Sequence, residues 1–342
     1  MSAAGPPTQR PVIAIALGDP AGIGPEISVK AACSSAVRSV CRPLLVGHEN
    51  AVRHYLDRVA PGIRLRLLDE AVRTTGDPDV LDLLPAGEEP LDRWSPGSVD
   101  AACGRAALSY AATAVDLALA GDVHAVAAAP HHQTSIGQAG IEFDGYPGFV
   151  ARRTGTDPGR VFLMLVGEDR RIVHVTLHLG VHDALALIRK RRVLRAIEAT
   201  GAALDRMGIR RPRIAVSGVN PHAGENGLFG REEIEEIAPA IAEARDRGID
   251  AHGPFGADTM LLDHGYDAFL VMLHDQGHIP AKLAGFSSTS ALPVGTPILF
   301  ASVAHGSAFD IAGRGIADPA CLIRTIERLA GARTVHGPHR RP

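Results

Sequence analysis

The chain has 342 residues, 46% of them hydrophobic and 21% charged, enough for two domains with substantial cores. A net charge of −3, with the signs interspersed instead of gathered in blocks, gives no electrostatic footprint for nucleic acid or an anionic membrane. The N-terminal "MSAAGPPTQRP" lacks a basic region followed by an apolar core, and no apolar run approaches the roughly 20 residues of a membrane span. The expected location is therefore the cytoplasm and the expected partners are small soluble molecules.

In chain order, the apolar β-prone run "PVIAIAL" (11–17) leads into "GDPAGIGPEI", where Gly18, Gly22 and Gly24 loosen a loop. Pro25 and Glu26 suit the first turn of a helix continuing through "ISVKAACSSAV". Helix followed by strand recurs, as "AACGRAALSYAATAVDLALAG" before "VHAVAAAP" and "DALALIRKRRVLRAIEATGAALDRMG" before "RPRIAVSGVNPH". This alternation predicts parallel α/β architecture. Four separated cysteines (Cys33, Cys41, Cys103, Cys321) form no C-x-x-C and read as buried apolar residues. Of 35 basic residues only Lys30, Lys190 and Lys282 are lysine, so each lysine points to a local requirement.

Four predicted strands run into histidine: "AVAAAPHH" (His131, His132), "IVHVTLH" (His178), "IAVSGVNPH" (His222) and "AFLVMLH" (His274). Parallel sheets bind ligands at the carboxyl ends of their strands, so these side chains are candidates for one cleft, although any one histidine is more often structural. "HDQGHIP" (274–280) resembles H-E-x-x-H, but its setting after an apolar strand and its Gly277 and Pro280 argue against a zinc-protease helix. His178, His222 and His274 are the expected metal ligands, with one open position for substrate. His278 is expected to be structural, and Asp275 and Asp258 to orient imidazoles. Lys282 is expected to hold a substrate carboxylate or move protons.

The stretch "HGSAFDIAGRGIADP" (305–319) offers backbone groups to a flat or phosphorylated ligand, with Asp310 or Asp318 as acceptors for ribose hydroxyls. "GDPAGIGPE" has similar capacity at a helix N-terminus, and G-x-G-x-x-G is missing, so no Rossmann fingerprint is present.

Together "IAIALGDPAGIGPEI", "VNPHAGENGLFG", "MLHDQGHIPAKL" and "VAHGSAFDIAGRGIAD" resemble the 4-hydroxythreonine-4-phosphate dehydrogenase family from residue 12 to about 330. The last stretch also resembles the cofactor loop of isocitrate and isopropylmalate dehydrogenases. The resemblance implies a two-domain α/β/α fold of that type with an active-site cleft between domains. One domain (11–128 plus 285–335) would carry the NAD loops, and the other (129–284) the metal ligands and dimer contacts. It implies an enzyme dependent on NAD and a divalent metal, zinc or iron, working as a homodimer with a shared active site. The family's three metal histidines match His178, His222 and His274, the third supplied by the neighbouring subunit, and its substrate lysine matches Lys282. NAD would lie on Gly18, Asp19, Gly22 and Gly24 and on His305, Gly306, Ser307, Ala308, Asp310 and Gly313.

Where the family carries a phosphate-contacting His-Thr pair, "AGIEFDGYP" places Tyr146 and Pro147. The family's substrate asparagine and phosphate-binding arginine fall at Ala291 and Phe300. Losing these removes charge-assisted hydrogen bonds to a phosphate dianion. With "APHHQTSI", this pattern resembles an offshoot, the terephthalate cis-dihydrodiol dehydrogenases, and implies that the chain stands closest to them. The implied reaction is oxidative decarboxylation of 1,2-dihydroxy-3,5-cyclohexadiene-1,4-dicarboxylate to protocatechuate, with His131, His132 and Tyr146 lining the pocket. The alternative keeps the enzyme class and takes a 4-phosphorylated hydroxy acid: 4-hydroxythreonine, threonate or erythronate phosphate. A metal-dependent hydrolase and a non-catalytic binding protein are more distant alternatives.

Overall fold

A computed structural model describes residues 10–87, 91, 94–167, 170–285 and 289–331. The chain forms two compact units. One comprises the described residues up to Glu142 and again from His305, and the other runs from Phe143 to Ala304. Against the expected junctions at 128/129 and 284/285, residues 129–142 group with the first unit and the described residues of 285–304 with the second.

The first unit holds strands β1 (Val12–Ala16), β2 (Arg42–Gly47), β3 (Arg64–Leu67), β4 (Val80–Pro85) and β5 (Ala125–Ala128). They lie in the order β3-β4-β2-β1-β5, every pair parallel. β1 is buried along its whole length, as a near-continuous apolar run in a doubly covered parallel strand should be. Ala101–Ala120 is the longest helix of this unit. Asp100 caps it by accepting from the N–H groups of Ala102 and Cys103, and Gly121 ends it at φ 82°.

The second unit holds β6 (Phe162–Val166), β7 (Arg171–His174), β8 (Arg213–Ser217), β9 (Asp250–Phe255), β10 (Ala268–Val271), β11 (Ser290–Val294) and β12 (Phe300–Val303). Their order is β12-β11-β6-β7-β10-β8-β9. The four strands from β7 to β9 are parallel, whereas β6 pairs antiparallel with both β7 and β11, and β11 antiparallel with β12. The sheet is therefore mixed, where the alternation of helix and strand predicted parallel pairing. The departure comes from a tight return between β6 and β7, closed by Gly167 N–H donating to the Arg170 carbonyl.

A second correction concerns "HDQGHIPAKLAG". It forms an α-helix, His274–Gly285, with Gly277 and Pro280 inside it. Two local features outweigh the unfavourable residues. The Gln276 side-chain oxygen Oε1 accepts from the N–H groups of Met272 and Leu273, both at 3.0 Å, tying the helix's first turn to the two residues that lead into it. Gly277 lies on β7 so closely that a Cβ there would collide with His174 Nε2, so the absent side chain is what seats the helix.

Candidate functional site

In the first unit three segments meet the loop that follows β1 at its carboxyl end. Asp19 N–H donates to the Pro130 carbonyl at 2.9 Å, Ile23 N–H to Ser307 at 2.9 Å and Gly97 N–H to Ala21 at 2.7 Å. Glycine is required where these backbones touch. Gly18 has φ 68° and a Cβ there would strike the Pro130 carbonyl; one on Gly24 would strike that of Leu17; one on Gly22 would stand 2.7 Å from Ser307 Cβ. The bed expected for a dinucleotide thus brings the Gly18–Gly24 loop against Ser307, while Gly306 and Asp310 are exposed at its surface.

Two expected contacts have other settings. Asp19 is wholly buried, with Oδ1 accepting from Ala21 N–H, and burial pushes its carboxyl up to about 6. His132 caps the helix Gln133–Gln138 by accepting from Ser135 N–H at 3.2 Å, and its ring stacks on Phe309 at 4.3 Å. It serves the loop bed, although sequence reasoning places it at the substrate. His131, half-buried beside it, is pushed down to about 4 by burial and then by the neighbouring His132.

The second unit gathers four histidines, two of them expected together. The rings of His178 and His274 lie 5.5 Å apart, and His274 stacks on His278 at 3.8 Å and 9°. His278 in turn lies 4.6 Å from His174. A carboxylate orients the first of these, since Asp275 Oδ1 is 2.7 Å from His274 Nδ1. With the proton on Nδ1, His274 keeps an Nε2 lone pair. His174 Nδ1 lies 3.2 Å from the Leu163 carbonyl and its Nε2 3.1 Å from His278 Nδ1. If each Nδ1 donates, the chain of bonds leaves the His278 Nε2 lone pair as the outer end. Burial first, and then His278, push His174 down to about 3, and burial followed by His274 push His278 down to about 4. Burial also lowers His178. These three imidazoles are neutral at pH 7, the state in which a histidine can ligate a metal.

His222 is held differently. Residues 222–226 all have positive φ, from 42° to 78°, and make a left-handed turn in which four of the five residues are not glycine. Each such residue costs about 1–2 kcal/mol, so the surroundings must enforce the turn. Buried Glu233 does this: Oε1 accepts from Val219 and Asn220 N–H, both at 2.8 Å, and Oε2 from the Asn220 side chain at 2.9 Å. The His222 side chain is 67% exposed, with Glu225 3.6 Å away. Asp258 is exposed beside this turn, near Gly256, which packs toward the His222 backbone.

His274, His278 and Lys282 follow one another at every fourth residue along one side of the helix, Lys282 exposed. Tyr146 is buried, with its ring 4.9 Å from Phe300 and edge-on to Phe143 at 5.7 Å; burial raises its phenol well above the ordinary value. Among the described residues, no group of three or more His, Cys, Asp or Glu side chains is placed to hold a metal ion. His178 and His274 supply two of the expected imidazoles, and His222 is not brought to them. Sequence reasoning missed His174, whose signal was a polar residue inside the otherwise apolar "IVHV", and Glu233, which carried no signal because its importance lies in a turn 11 residues earlier.

One α/β unit thus carries a glycine-dependent loop bed, and the other a histidine cluster on a strand and a helix. The chain belongs to the family described as pyridoxal phosphate biosynthetic protein PdxA, whose profile matches residues 39–329. It is 39% identical over 335 residues to the 4-hydroxythreonine-4-phosphate dehydrogenase of Desulforapulum autotrophicum, covering 97% of this chain and 98% of that one. The crystal structure of a 4-hydroxythreonine-4-phosphate dehydrogenase from Burkholderia phymatum superposes with a TM-score of 0.85 at 37% identity, covering 95% of this chain and 99% of that one. The terephthalate 1,2-cis-dihydrodiol dehydrogenase of Burkholderia xenovorans gives 0.75 at 42% identity, covering 94% and 98%. The expectation that the chain stands closest to the terephthalate branch is thereby corrected. Identity does not separate the two kinds of relative, and the structural likeness is greater to the 4-hydroxythreonine-4-phosphate enzyme.

Proposed function

We propose that the protein is an NAD-linked dehydrogenase that oxidises a hydroxyl of a small, acidic hydroxy compound. The observation that carries this reading is the His178–His274 pair, with Asp275 on His274 and Lys282 along the same helix. Asp275 holds the His274 ring with its proton on Nδ1, and the Lys282 ammonium supplies a cation for a substrate carboxylate. NAD, on the loop bed of residues 18–24 and 305–313, would accept the hydride. The arrangement shared with isocitrate and isopropylmalate dehydrogenases belongs to the same proposal.

A divalent metal is part of this reading, with His178 and His274 as ligands; where the resemblance implies that His274 comes from the neighbouring subunit, this reading has His222 reach the site from a second copy of the chain instead. When bound it would supply Lewis-acid stabilisation of the developing alkoxide. Two observations support the homodimer. Among the described residues one chain brings together His178 and His274 without His222, and Val181, Leu228, Leu262 and Leu283 are 66%, 72%, 73% and 84% exposed on or near the histidine-bearing elements. Among the described residues no helix is long and apolar enough to cross a membrane.

For the substrate, a 4-phosphorylated hydroxy acid is favoured by the likeness to the 4-hydroxythreonine-4-phosphate enzymes. One observation favours a carboxylated cyclic diol as the second reading. Phe300, 1% exposed and packed on Tyr146, stands where the resemblance predicts a phosphate-binding arginine. Reduced-nicotinamide absorbance tests both, with 4-hydroxythreonine 4-phosphate, threonate 4-phosphate and the cis-dihydrodiol dicarboxylate as substrates and with metal-stripped and metal-restored protein. Turnover of none of them, or full turnover without metal, refutes the corresponding part of the proposal.

A further inference from the structure

Lys30 is one of three lysines in the chain, and its position explains why a lysine is used. Its ammonium donates to Glu26 Oε1 at 2.7 Å, to the Gly315 carbonyl at 2.9 Å and to the Ala317 carbonyl at 2.8 Å, so all three of its protons have acceptors. Glu26, fully buried, accepts from Ala317 N–H at 2.7 Å on Oε1 and from Gly315 N–H at 3.2 Å on Oε2. One helical i,i+4 pair thus holds both backbone groups of Gly315 and both of Ala317. Two residues before Gly315, Gly313 N–H donates to the Tyr55 hydroxyl at 3.2 Å and its carbonyl accepts from Arg58 at 2.8 Å. Between the two pinned glycines stands Arg314, exposed.

We propose that Glu26 and Lys30 are a positioning pair that holds the 313–317 loop so that the Arg314 guanidinium meets a phosphate of the bound dinucleotide. The inference rests on the reading of this loop as the NAD bed. A backbone fixed on both sides of Arg314 removes much of the ordering cost that a flexible loop would incur on binding, and guanidinium is suited to bidentate phosphate contact. The same chemistry serves the pyrophosphate of NAD or the 2′-phosphate of NADP, so both cofactors are needed in the test.

Affinities for NADH and NADPH would be measured by fluorescence titration of the full-length protein and of Glu26→Gln, Lys30→Met, Arg314→Ala and Glu26→Gln/Arg314→Ala, with hydrogen–deuterium exchange read on residues 311–317. The amide that replaces the Glu26 carboxylate can offer one acceptor oxygen where Glu26 offers two, so one backbone N–H loses its partner. Each single variant is expected to weaken at least one of the two dinucleotides about tenfold, with the loss expressed in the cofactor KM and not in kcat. Exchange at 313–317 should rise in the Glu26 and Lys30 variants and stay unchanged in Arg314→Ala. The double variant should bind no more weakly than Arg314→Ala, because the pair acts through that side chain. If Arg314→Ala weakens NADPH alone, the contact is the 2′-phosphate; if it weakens both equally, the pyrophosphate. Unchanged affinity in the singles, or additive losses in the double, overturns the proposal. Failure of the unaltered protein to bind either dinucleotide overturns the NAD reading itself.

Discussion

Gly277→Ala is the sharpest test of how the histidine helix is seated. A Cβ at 277 would collide with His174 Nε2 and stand 2.8 Å from Ile172 Cγ2, where ordinary contact begins at 3.4 Å. His174 cannot turn aside without breaking its contacts with the Leu163 carbonyl and His278. The helix must therefore lift by about 1 Å, taking His274, His278 and Lys282 with it. Overpacking of this kind costs about 1–3 kcal/mol, while replacing glycine with alanine inside a helix returns about 1 kcal/mol, so net stability should fall by only about 0–2 kcal/mol. Activity should fall further, by about 100-fold, because an ångström of misplacement at reacting groups has that effect. Gly201→Ala is the control: it lies inside the helix Lys190–Arg206 with its nearest neighbour at 3.9 Å, and should gain about 0.5–1 kcal/mol with activity intact. Thermal melts and steady-state rates of the two variants decide the matter. If Gly277→Ala is stabilised and active like Gly201→Ala, the close seating of helix on β7 is wrong.

Three further outcomes follow from burial and exposure. Asp19 has its carboxyl raised to about 6 by burial, so its contribution to stability is full below pH 4 and is lost as pH rises through 6. Asp19→Asn should therefore stabilise the protein by about 2–3 kcal/mol in denaturant titrations at pH 8 and leave it unchanged at pH 4; equal effects at both pH values would contradict the burial argument. His174, lowered to about 3, behaves oppositely: stability is full above 6.5 and falls as the pH drops toward 4, by roughly 3 kcal/mol from this group alone. His174→Gln should flatten that acid limb in metal-free buffer, and an unaltered limb would show that His174 is not held neutral. Leu283→Asp, on the most exposed of the large apolar side chains among the described residues, tests the proposed homodimer: it should shift the protein toward monomer in analytical ultracentrifugation with its circular-dichroism spectrum kept, and an unaltered protein that sediments as a monomer refutes that proposal. A dimer of undiminished stability would place the subunit contact elsewhere.

Much of the architecture was legible because apolar runs and glycine positions report backbone constraints directly. The first unit's parallel strands come from such signals, whereas the approach of the Gly18–Gly24 loop to Ser307 was implied by the family resemblance. The helix at His274 was not legible, since Gly277 and Pro280 are unfavourable in isolation and become acceptable only through Gln276 and the face of β7. Nor was the role of His132, because a histidine that caps a helix and one that touches substrate look alike in sequence. Lys30 shows the opposite case. Its rarity marked it out, but only the folded chain shows that its requirement lies in the backbone of a distant loop.

The comparable identity to enzymes named for a phosphorylated and for a cyclic substrate, 37% and 42%, has a physical reading. Overall likeness measures the scaffold, and substrate choice rests on a few side chains that contribute little to it. Phe300 illustrates how such a choice becomes fixed. It is 1% exposed at the start of β12 and shares its contact surface with Tyr146, itself buried against Phe143 and Phe149. An arginine placed there alone would bury a charge among aromatic rings with no anion, a cost of several kcal/mol. The ring at 300 and the ring at 146 therefore have to change together. That coupling is why a single substitution at 300 or 146 would report on the packing of the cluster before it reported on any ligand.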